Sequence, residues 1–291
     1  MDDNWTYETL RLMSRIRRGQ IKPNKTVVMT HRMIALVAND GRTWTVAVVD
    51  EDVKIKGLGV FNPAHLLRNH AIGTTVNLAS KELTILPAGL TELRRGMLRR
   101  AQTIGDKDAG ILVARLGVGR DDTVLEAGLG SAGLGLHIAR ALGPSGHHIT
   151  VEPREEHAHV GLDNLNRASL AWVDGPRHSH IAGRAEASAE EVQGLAPEGL
   201  DAVVLDMADH TPSIAALAPL LRPGGRMACY CPVTSQFERA WEACEAAGLE
   251  VDWAGEVMER PWSRASRGGV RPANGPFGHT AFLLIAQRRS A

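Results

Sequence analysis

The stretch TVLEAGLGSAGLGLHIARALG, residues 123–143, decides the fold class. TVLEAG predicts a β-strand, and Gly128, Gly130 and Gly133 follow it with the spacing G-x-G-x-x-G. Glycines permit a tight turn and let a ligand approach free N–H groups at the N-terminus of the next helix. The stretch therefore predicts a strand, a cofactor-binding turn and a helix closed by Gly143, and it leaves open whether the cofactor is a dinucleotide or another nucleotide-like molecule.

The regions on either side of this stretch predict two domains. Residues 26–86 contain short β-rich segments separated by Asn-Asp-Gly and Asn-Pro turn signals. From AGLTELRRGMLRRAQTIG, residues 88–105, onward, helices alternate with apolar strands such as HHITVEP and DAVVLDMAD, which is typical of a parallel sheet covered on both faces. We predict a small β-rich domain over 1–88 and an α/β domain over 89–291, with Trp253 and Trp262 of the terminal strands in the core.

The overall charge neither requires nor excludes nucleic acid as a partner. Lys and Arg number 33, Asp and Glu also number 33, and 44% of the residues are hydrophobic, so the chain can bury a sizeable core. An RNA-binding face must then come from local clusters of basic residues. Two such clusters occur, over residues 11–25 and 94–100, and each fits a solvated helix face as well as an RNA contact.

Cysteine and histidine usage does not indicate a metal or disulfide framework. The three cysteines, Cys229, Cys231 and Cys244, are an odd number without paired spacing, so we expect reduced thiols and no metal ligands. No apolar run reaches the roughly 20 residues of a membrane helix, and the acidic first residues lack the order of a signal peptide. We expect a cytoplasmic protein with no membrane partner.

Acidic residues flank the glycine turn. Glu126 lies two positions before Gly128, and Glu152 ends the next predicted strand. An acid at the end of the second strand can hold a ribose diol in either class of cofactor. Glu152 therefore does not separate the two classes of cofactor.

A set of motifs makes the comparison specific. VLEAGLGSAGL, TVEPRE, DAVVLDM, LRPGGRMACYCPVTSQ and GHTAFLL resemble the motifs of Class I S-adenosylmethionine-dependent methyltransferases. In order and spacing they resemble the tRNA adenine-N1 methyltransferase family that modifies adenosine 58 in the T loop, over residues 90–288. The resemblance implies an α/β fold with a Rossmann-like Class I methyltransferase domain, a parallel sheet with an antiparallel C-terminal strand, after the small β-rich domain.

The resemblance also implies roles for individual residues. It places the methionine part of S-adenosylmethionine on the loop 128–133, the ribose hydroxyls on Glu152, the adenine near Glu186, and the target base opposite a catalytic acid, Asp206. The implied cofactor contacts are Gln102, Glu126, Gly128, Gly130, Ser131, Ala132, Gly133, Glu152, Arg154, Glu186 and Asp206. The implied partners are tRNA and further copies of the chain in a homotetramer.

Three departures from the family pattern bear on function. Gly105 and Asp106 stand where the family usually has a tyrosine followed by Pro or Ser, and DMADHT replaces D-x-P-x-P-W and supplies His210 as a possible contact to the base. Ala132 replaces Gly or Ser in the loop, and it should leave the backbone donors free. A non-catalytic tRNA-binding subunit and a methyltransferase acting on another substrate therefore remain alternatives to the active tRNA methyltransferase.

Overall fold

The computed structural model describes residues 31–273, 275 and 278–290, so the basic cluster over residues 11–25 lies outside the described residues. Contacts within the chain define two units. The first comprises the described residues up to Leu98 together with Leu162–Val173, and the second comprises Arg99–Gly161 and the residues from Asp174 onward. The domain boundary after residue 88 stays a prediction.

The first unit contains an antiparallel sheet of four strands in the order β2-β1-β6-β5, a hairpin of β3 and β4, and two short helices. Its elements are β1 (Met33–Ala38), β2 (Thr43–Ala47), β3 (Val53–Ile55), β4 (Gly59–Phe61), α1 (Pro63–Asn69), β5 (Thr75–Leu78), β6 (Lys81–Pro87) and α2 (Leu90–Arg95). Ile34, Leu36, Leu83 and Ile85 are fully buried in its core. The predicted β-rich N-terminal region is thus present.

Helix α1 differs from the prediction, which treated Asn-Pro at this point as a turn signal. The Asn62 side chain accepts a hydrogen bond of 2.7 Å from the backbone N–H of His65, and Pro63 occupies the first helical position. Both features favour a helix N-terminus, because the side chain caps a free donor and proline has none to leave unpaired. The dipeptide therefore begins a helix.

The second unit is built on a sheet of seven strands in the order β12-β15-β11-β10-β7-β8-β9. Its strands are β7 (Thr123–Ala127), β8 (His147–Val151), β9 (Arg177–Ile181), β10 (Leu200–Leu205), β11 (Leu221–Cys231), β12 (Glu250–Gly255) and β15 (Phe282–Gln287), and β13 (Trp262–Arg264) pairs with β14 (Val270–Pro272) in a separate hairpin. Strand β15 is antiparallel to both of its neighbours, β11 and β12. The predicted Rossmann-like α/β fold with an antiparallel C-terminal strand is confirmed.

Helices follow most of these strands, and apolar side chains cover both faces of the sheet. The helices are α3 (Asp106–Leu116), α4 (Gly133–Ala141), α5 (Glu155–Ala171), whose last ten residues are counted with the first unit, α6 (Ala189–Leu195), α7 (Thr211–Leu217) and α8 (Thr234–Ala246). Leu125 and Val203 are buried on one face and Val124 and Val204 on the other. No helix in the described part of the chain is long and apolar enough to span a membrane.

Two local predictions need correction. The segment 88–105, which we expected to begin the helical region, is helical only over α2 and is irregular from residue 97 to residue 105. Trp262, which we expected in the core, lies in β13 with 64% of its surface exposed. A hairpin of two three-residue strands has no second layer to cover it, so its aromatic residue stays in solvent.

A buried ion pair stabilises the start of α3. The carboxylate of Asp108 is fully buried and accepts hydrogen bonds from Lys107 Nζ (2.6 Å) and Thr280 Oγ1 (2.7 Å), while the same Nζ donates to the carbonyl oxygen of Val257 (2.7 Å). We predict that Asp108→Ala lowers the free energy of unfolding by about 3 kcal/mol, because it leaves the Lys107 ammonium group, whose side chain is only 17% exposed, without its carboxylate.

Chemical denaturation measures this effect, and Asp106→Ala is the matched control. Asp106 is the neighbouring acid on the same helical turn, is 72% exposed and pairs with His137 at 3.1 Å. Its loss should cost less than about 1 kcal/mol, because water screens an exposed pair. Equal losses for the two variants would contradict a stabilising role of the buried pair.

Candidate active site

A cleft of about 300 Å³ opens where β7 and β10 end, which is the point where the strand order reverses. In open parallel sheets, ligands bind at this switch point beyond the carboxyl ends of the strands. The lining residues are Ala101, Gln102, Thr103, Ile104, Glu126, Gly128, Leu129, Gly130, Ser131, Gly133, Leu134, Arg154, Asp206, Met207, Ala208, Pro232 and Gln236. Eight of the eleven predicted cofactor contacts are among them, and Ala132, Glu152 and Glu186 are not.

The glycine loop is held tightly against the end of β10. Gly128 has a φ of +91°, and a Cβ atom at this position would overlap the backbone carbonyl oxygen of Asp206. The Asp206 N–H donates to the carbonyl oxygen of Ala127 at 2.9 Å. Only glycine fits at Gly128, because both the left-handed backbone and the close approach exclude a side chain.

Ala132 does not leave its backbone donor free, contrary to the prediction. Its N–H donates to the carbonyl oxygen of Leu129 at 2.7 Å, and the residue is fully buried with a φ of +59° at the start of α4. This left-handed conformation is rare for alanine. Ala132 shapes the entry to the helix and does not face the cleft.

Glu152 supports the glycine loop from behind. Its buried carboxylate accepts hydrogen bonds from the Gly130 N–H (3.0 Å) and from Arg154 Nε (2.8 Å). Burial opposes the charge, but these hydrogen bonds outweigh it and hold the pKa of Glu152 below its usual value. The carboxylate and the Arg154 guanidinium therefore neutralise each other, and the contact of Glu152 with a ribose stays a prediction.

Two carboxyl groups face the cleft without a cationic partner. Glu126 is 3% exposed, and burial raises its pKa to about 8. Burial, together with the nearby Glu126, raises the pKa of Asp206 to about 7. Among the described residues, neither forms an ion pair with a lysine or arginine side chain. Arg154 is the only cationic side chain in the described lining, and Glu152 already engages it, so the lining offers no other cation to a pyrophosphate.

Of three other predicted cofactor contacts, Ser131 and Gln102 line the cleft and Glu186 does not. Ser131 Oγ accepts hydrogen bonds from the backbone N–H groups of Arg100 (3.0 Å) and Ala101 (3.1 Å), and it thereby fixes the segment that carries Gln102 into the lining. Glu186 lies outside the lining, where it accepts a hydrogen bond of 2.6 Å from Arg184 Nε. The roles of all these residues as cofactor ligands stay predictions.

Two residues that depart from the family pattern, His210 and Gly105, lie outside the cleft lining. His210 is 2% exposed, its ring lies against the backbone of Leu205 and Tyr230, and it is not part of the lining, so its contact with the base stays a prediction. Gly105 precedes α3 and is likewise outside the lining. The cleft thus has no aromatic side chain in its described lining.

Gln236 and His148 are not among the site residues predicted from the sequence. Gln236 lines the cleft from the first turn of α8, and its Nε2 donates to the carbonyl oxygen of Ala208 at 2.9 Å. Gln236 could have been predicted, because it ends the motif PVTSQ, which follows β11. Strand β11 is parallel to β10, so the residues after both strands lie at the same edge of the sheet. His148 forms a hydrogen bond of 3.0 Å with Glu126, and nothing in its spacing marks it out.

The fold and the position of the cleft define a class, the Rossmann-like methyltransferases. Similar solved structures include an S-adenosylmethionine-dependent O-methyltransferase from Thermotoga maritima, with a TM-score of 0.70, 23% identity and coverage of 91% of this chain and 95% of that chain. Another is the tRNA 1-methyladenosine-58 methyltransferase TrmI from Aquifex aeolicus, with a TM-score of 0.65, 18% identity and coverage of 89% and 97%. These similarities concern the fold.

Sequence comparison gives the family. Residues 92–268 match the family described as tRNA methyltransferase complex GCD14 subunit. The chain is 30% identical to the tRNA (adenine(58)-N(1))-methyltransferase TrmI of Thermus thermophilus over 211 residues, 72% of this chain and 79% of that protein. It is 28% identical to the tRNA (adenine(57)-N(1)/adenine(58)-N(1))-methyltransferase TrmI of Methanocaldococcus jannaschii over 216 residues, 67% of this chain and 75% of that protein. The chain belongs to the GCD14 family of tRNA methyltransferase subunits, and the predicted resemblance is confirmed.

Proposed function

We propose that this protein transfers the methyl group of S-adenosylmethionine to N1 of adenosine 58 in the T loop of tRNA. The observation that carries the proposal is the acid-lined cleft at the switch point, with Asp206 at the end of β10, in a chain of this family. The names of the relatives support it, since one acts on adenosine 58 and another on adenosines 57 and 58.

The residues of the cleft fit this cofactor. Gly128 and Gly130 bring backbone close to the ligand, and Glu126 offers a carboxyl group to its positive charge. When bound, the cofactor supplies an electrophilic methyl group, and adenine N1 offers a lone pair, so the chain has mainly to hold the two in line. Because N1 lies on the pairing edge of the base, the adenosine has to leave its stacked position to reach the cleft.

Asp206 is the residue that we assign to the chemistry. As a carboxylate it accepts a hydrogen bond from the exocyclic amine of adenine, and it stabilises the positive charge that develops on the ring. The side chain already lines the cleft and has no ion pair among the described residues that would have to break first.

The alternatives differ in what they do with tRNA. A non-catalytic subunit would bind tRNA without methylating it, and a methyltransferase for another substrate would neither bind nor methylate it. The presence of Asp206 and Glu126 on one cleft favours an active enzyme. A homotetramer, which rests on the family resemblance, and a cytoplasmic location, which rests on the sequence features described above, complete the proposal.

Transfer of an isotopically labelled methyl group to tRNA transcripts tests the proposal. An unmodified transcript should accept label, and a transcript with guanosine in place of adenosine 58 should not. Label that persists in the second transcript but disappears when adenosine 57 is also replaced would extend the specificity to both positions. Binding of tRNA and cofactor without any transfer would establish the non-catalytic subunit instead.

A further inference from the structure

A buried histidine stands behind one of the two cleft acids. His148 Nε2 lies 3.0 Å from Glu126 Oε2, and the two side chains project from the neighbouring parallel strands β8 and β7. His148 is 1% exposed and is not part of the cleft lining, whereas Glu126 is 3% exposed and reaches the cleft. The histidine therefore touches the cleft only through the carboxyl group.

The fold makes room for this pair at one position of α4. A Cβ atom at Gly135 would lie 2.7 Å from Glu126 Oε2 and 3.3 Å from His148 Cε1. The first of these distances is shorter than real Cβ contacts, so a side chain at this position would require the Glu126 carboxyl group to shift. The absence of a side chain at this helical position is thereby explained by packing and not by backbone conformation.

No fixed positive charge neutralises the pair. The ionisable groups near the pair are Asp206 after β10, which interacts with Glu126, and His178 on β9, whose ring centroid lies 5.5 Å from that of His148. Glu152 and Arg154 after β8 act on Asp206. Arg154 is engaged by Glu152. Burial raises the pKa of Glu126 to about 8 and lowers that of His148 to about 3, so at neutral pH the carboxyl group is mostly protonated and the imidazole neutral.

We propose that His148 is a positioning residue that holds the Glu126 carboxyl group in both of its ionisation states, so that the pair gives up its proton to solvent when a positively charged ligand occupies the cleft. In the protonated state the carboxyl O–H donates to Nε2 and the imidazole carries its own proton on Nδ1. When the carboxyl group loses its proton through the cleft, the imidazole proton is on Nε2 and donates to the carboxylate, so the pair loses one proton in total. Nδ1 has no hydrogen-bond partner among the described residues, so no bond is lost there in either state. The proposal rests on the proposed function. Its consequence is that the protein distinguishes cationic S-adenosylmethionine from the uncharged thioether product, S-adenosylhomocysteine.

Calorimetry of the full chain in buffers of different ionisation enthalpy tests the proposal. At a pH of about 7, S-adenosylmethionine should release most of one proton more than S-adenosylhomocysteine does. At pH values below the pKa of Glu126, the affinity for S-adenosylmethionine should increase by up to about tenfold for each unit that the pH is raised. The affinity for S-adenosylhomocysteine should change much less. His148→Leu should abolish both differences, and His148→Gln, which keeps a hydrogen-bonding group, should retain part of them.

Further variants assign the proton. Gly135→Ala should disturb the pair without removing either partner and should reduce the differential release, whereas Gly110→Ala should leave it unchanged, because nothing lies within 4 Å of a Cβ atom there. Asp206→Asn should retain the release. Loss of the release in Asp206→Asn, or its persistence in folded His148→Leu, would overturn the assignment to the pair.

The proposed function and this inference fail in different ways. If the parent chain binds S-adenosylmethionine and methylates tRNA but releases the same number of protons with both ligands, only the inference is wrong. If the parent chain does not bind S-adenosylmethionine, the proposed function and the inference are both wrong. Should His148→Leu not fold, the parent chain and Gly135→Ala still decide the outcome.

A different observation supports a second inference, about the hairpin of β13 and β14. Residues 260–272, RPWSRASRGGVRP, contain four arginines and no acidic residue in a chain whose overall charge is zero. Trp262 and Val270 are 64% and 69% exposed. Because Arg264 pairs with Val270 and lies two residues after Trp262, these three side chains share one face of the hairpin.

We infer that this hairpin contacts the RNA substrate, an inference that also rests on the proposed function. Unstacked bases of RNA loops stack on exposed aromatic rings, and arginines bind the phosphates between them. Four arginines without an acidic residue over residues 260–272 complement a polyanion, and this charge favours RNA as the occupant. The tryptophan supplies the stacking surface and the arginines supply the electrostatic attraction.

Binding of tRNA at several salt concentrations tests this inference. Trp262→Ala should weaken tRNA binding about tenfold, and Arg264→Ala with Arg267→Ala should reduce the salt slope by about two. Arg289→Ala, an exposed arginine paired with Glu250 at 2.8 Å, is the control and should change neither. Unchanged tRNA binding in the hairpin variants would overturn the inference, and a changed oligomeric state in its place would assign the hairpin to contact between copies of the chain.

Discussion

Gly128→Ala is expected to abolish S-adenosylmethionine binding and to lower the free energy of unfolding by about 3 kcal/mol or more. A left-handed conformation costs a non-glycine residue roughly 1–2 kcal/mol, and forced repacking around an added methyl group costs about 1–3 kcal/mol. Both costs apply at this position, where φ is +91° and the added Cβ would overlap the carbonyl oxygen of Asp206. Relief of that overlap has to move the glycine loop away from β10, which removes the floor of the cleft.

Thermal or chemical denaturation and calorimetry measure the two effects, and Gly110→Ala supplies a control of opposite sign. Gly110 is an exposed residue within α3, and an added Cβ there meets nothing within 4 Å. Alanine should stabilise this helix by about 0.5–1 kcal/mol and leave binding unchanged. Retention of parent-like affinity by Gly128→Ala would show that the loop does not form the cofactor site.

Asp206→Asn is expected to lower the methylation rate at least about a hundredfold, with cofactor affinity changed only a few-fold. This is the scale for losing one preorganised electrostatic partner of the transition state. Only the ionised carboxyl group performs the proposed role, and burial beside Glu126 raises its pKa to about 7. The rate of the parent chain should therefore rise with pH until it levels off above that value, and the residual rate of Asp206→Asn should not follow this profile.

Single-turnover rates at saturating cofactor separate this effect from weaker binding, and Asp209→Asn is the matched control. Asp209 is exposed, lies outside the cleft lining and accepts a hydrogen bond of 3.2 Å from the Thr211 N–H. The Asp209→Asn variant should methylate tRNA at close to the parent rate. A parent-like rate for Asp206→Asn would remove Asp206 from the chemistry.

Much of the fold could be predicted because it depends on local patterns. The strand before Gly128 and the helix after it follow from apolar periodicity and from glycines that the turn requires. Because successive strands of such a sheet end at one edge, Glu126 and Asp206 could be assigned to one cleft. The short helix at Pro63 was missed because Asn-Pro begins both turns and helices, and only the hydrogen bond from His65 distinguishes them.

The electrostatics of the site could not be predicted from spacing. Whether Glu152 faces a ligand or braces the loop depends on which donors surround it, and the structure gives it the Gly130 N–H and Arg154. The raised pKa of Glu126 requires knowledge of its burial. The partnership of Glu126 with His148 depends on the register of two strands and on the space above Gly135.

The most direct test of the account is mass spectrometry of the nucleosides from a tRNA transcript incubated with the full chain and S-adenosylmethionine. We predict 1-methyladenosine as the new nucleoside, at one residue per transcript or two if adenosine 57 is also modified. The product should be absent when S-adenosylmethionine is omitted, and it should be strongly reduced with Asp206→Asn. A transcript that is bound but gains no methyl group, or a methylated nucleoside other than 1-methyladenosine, would contradict the account.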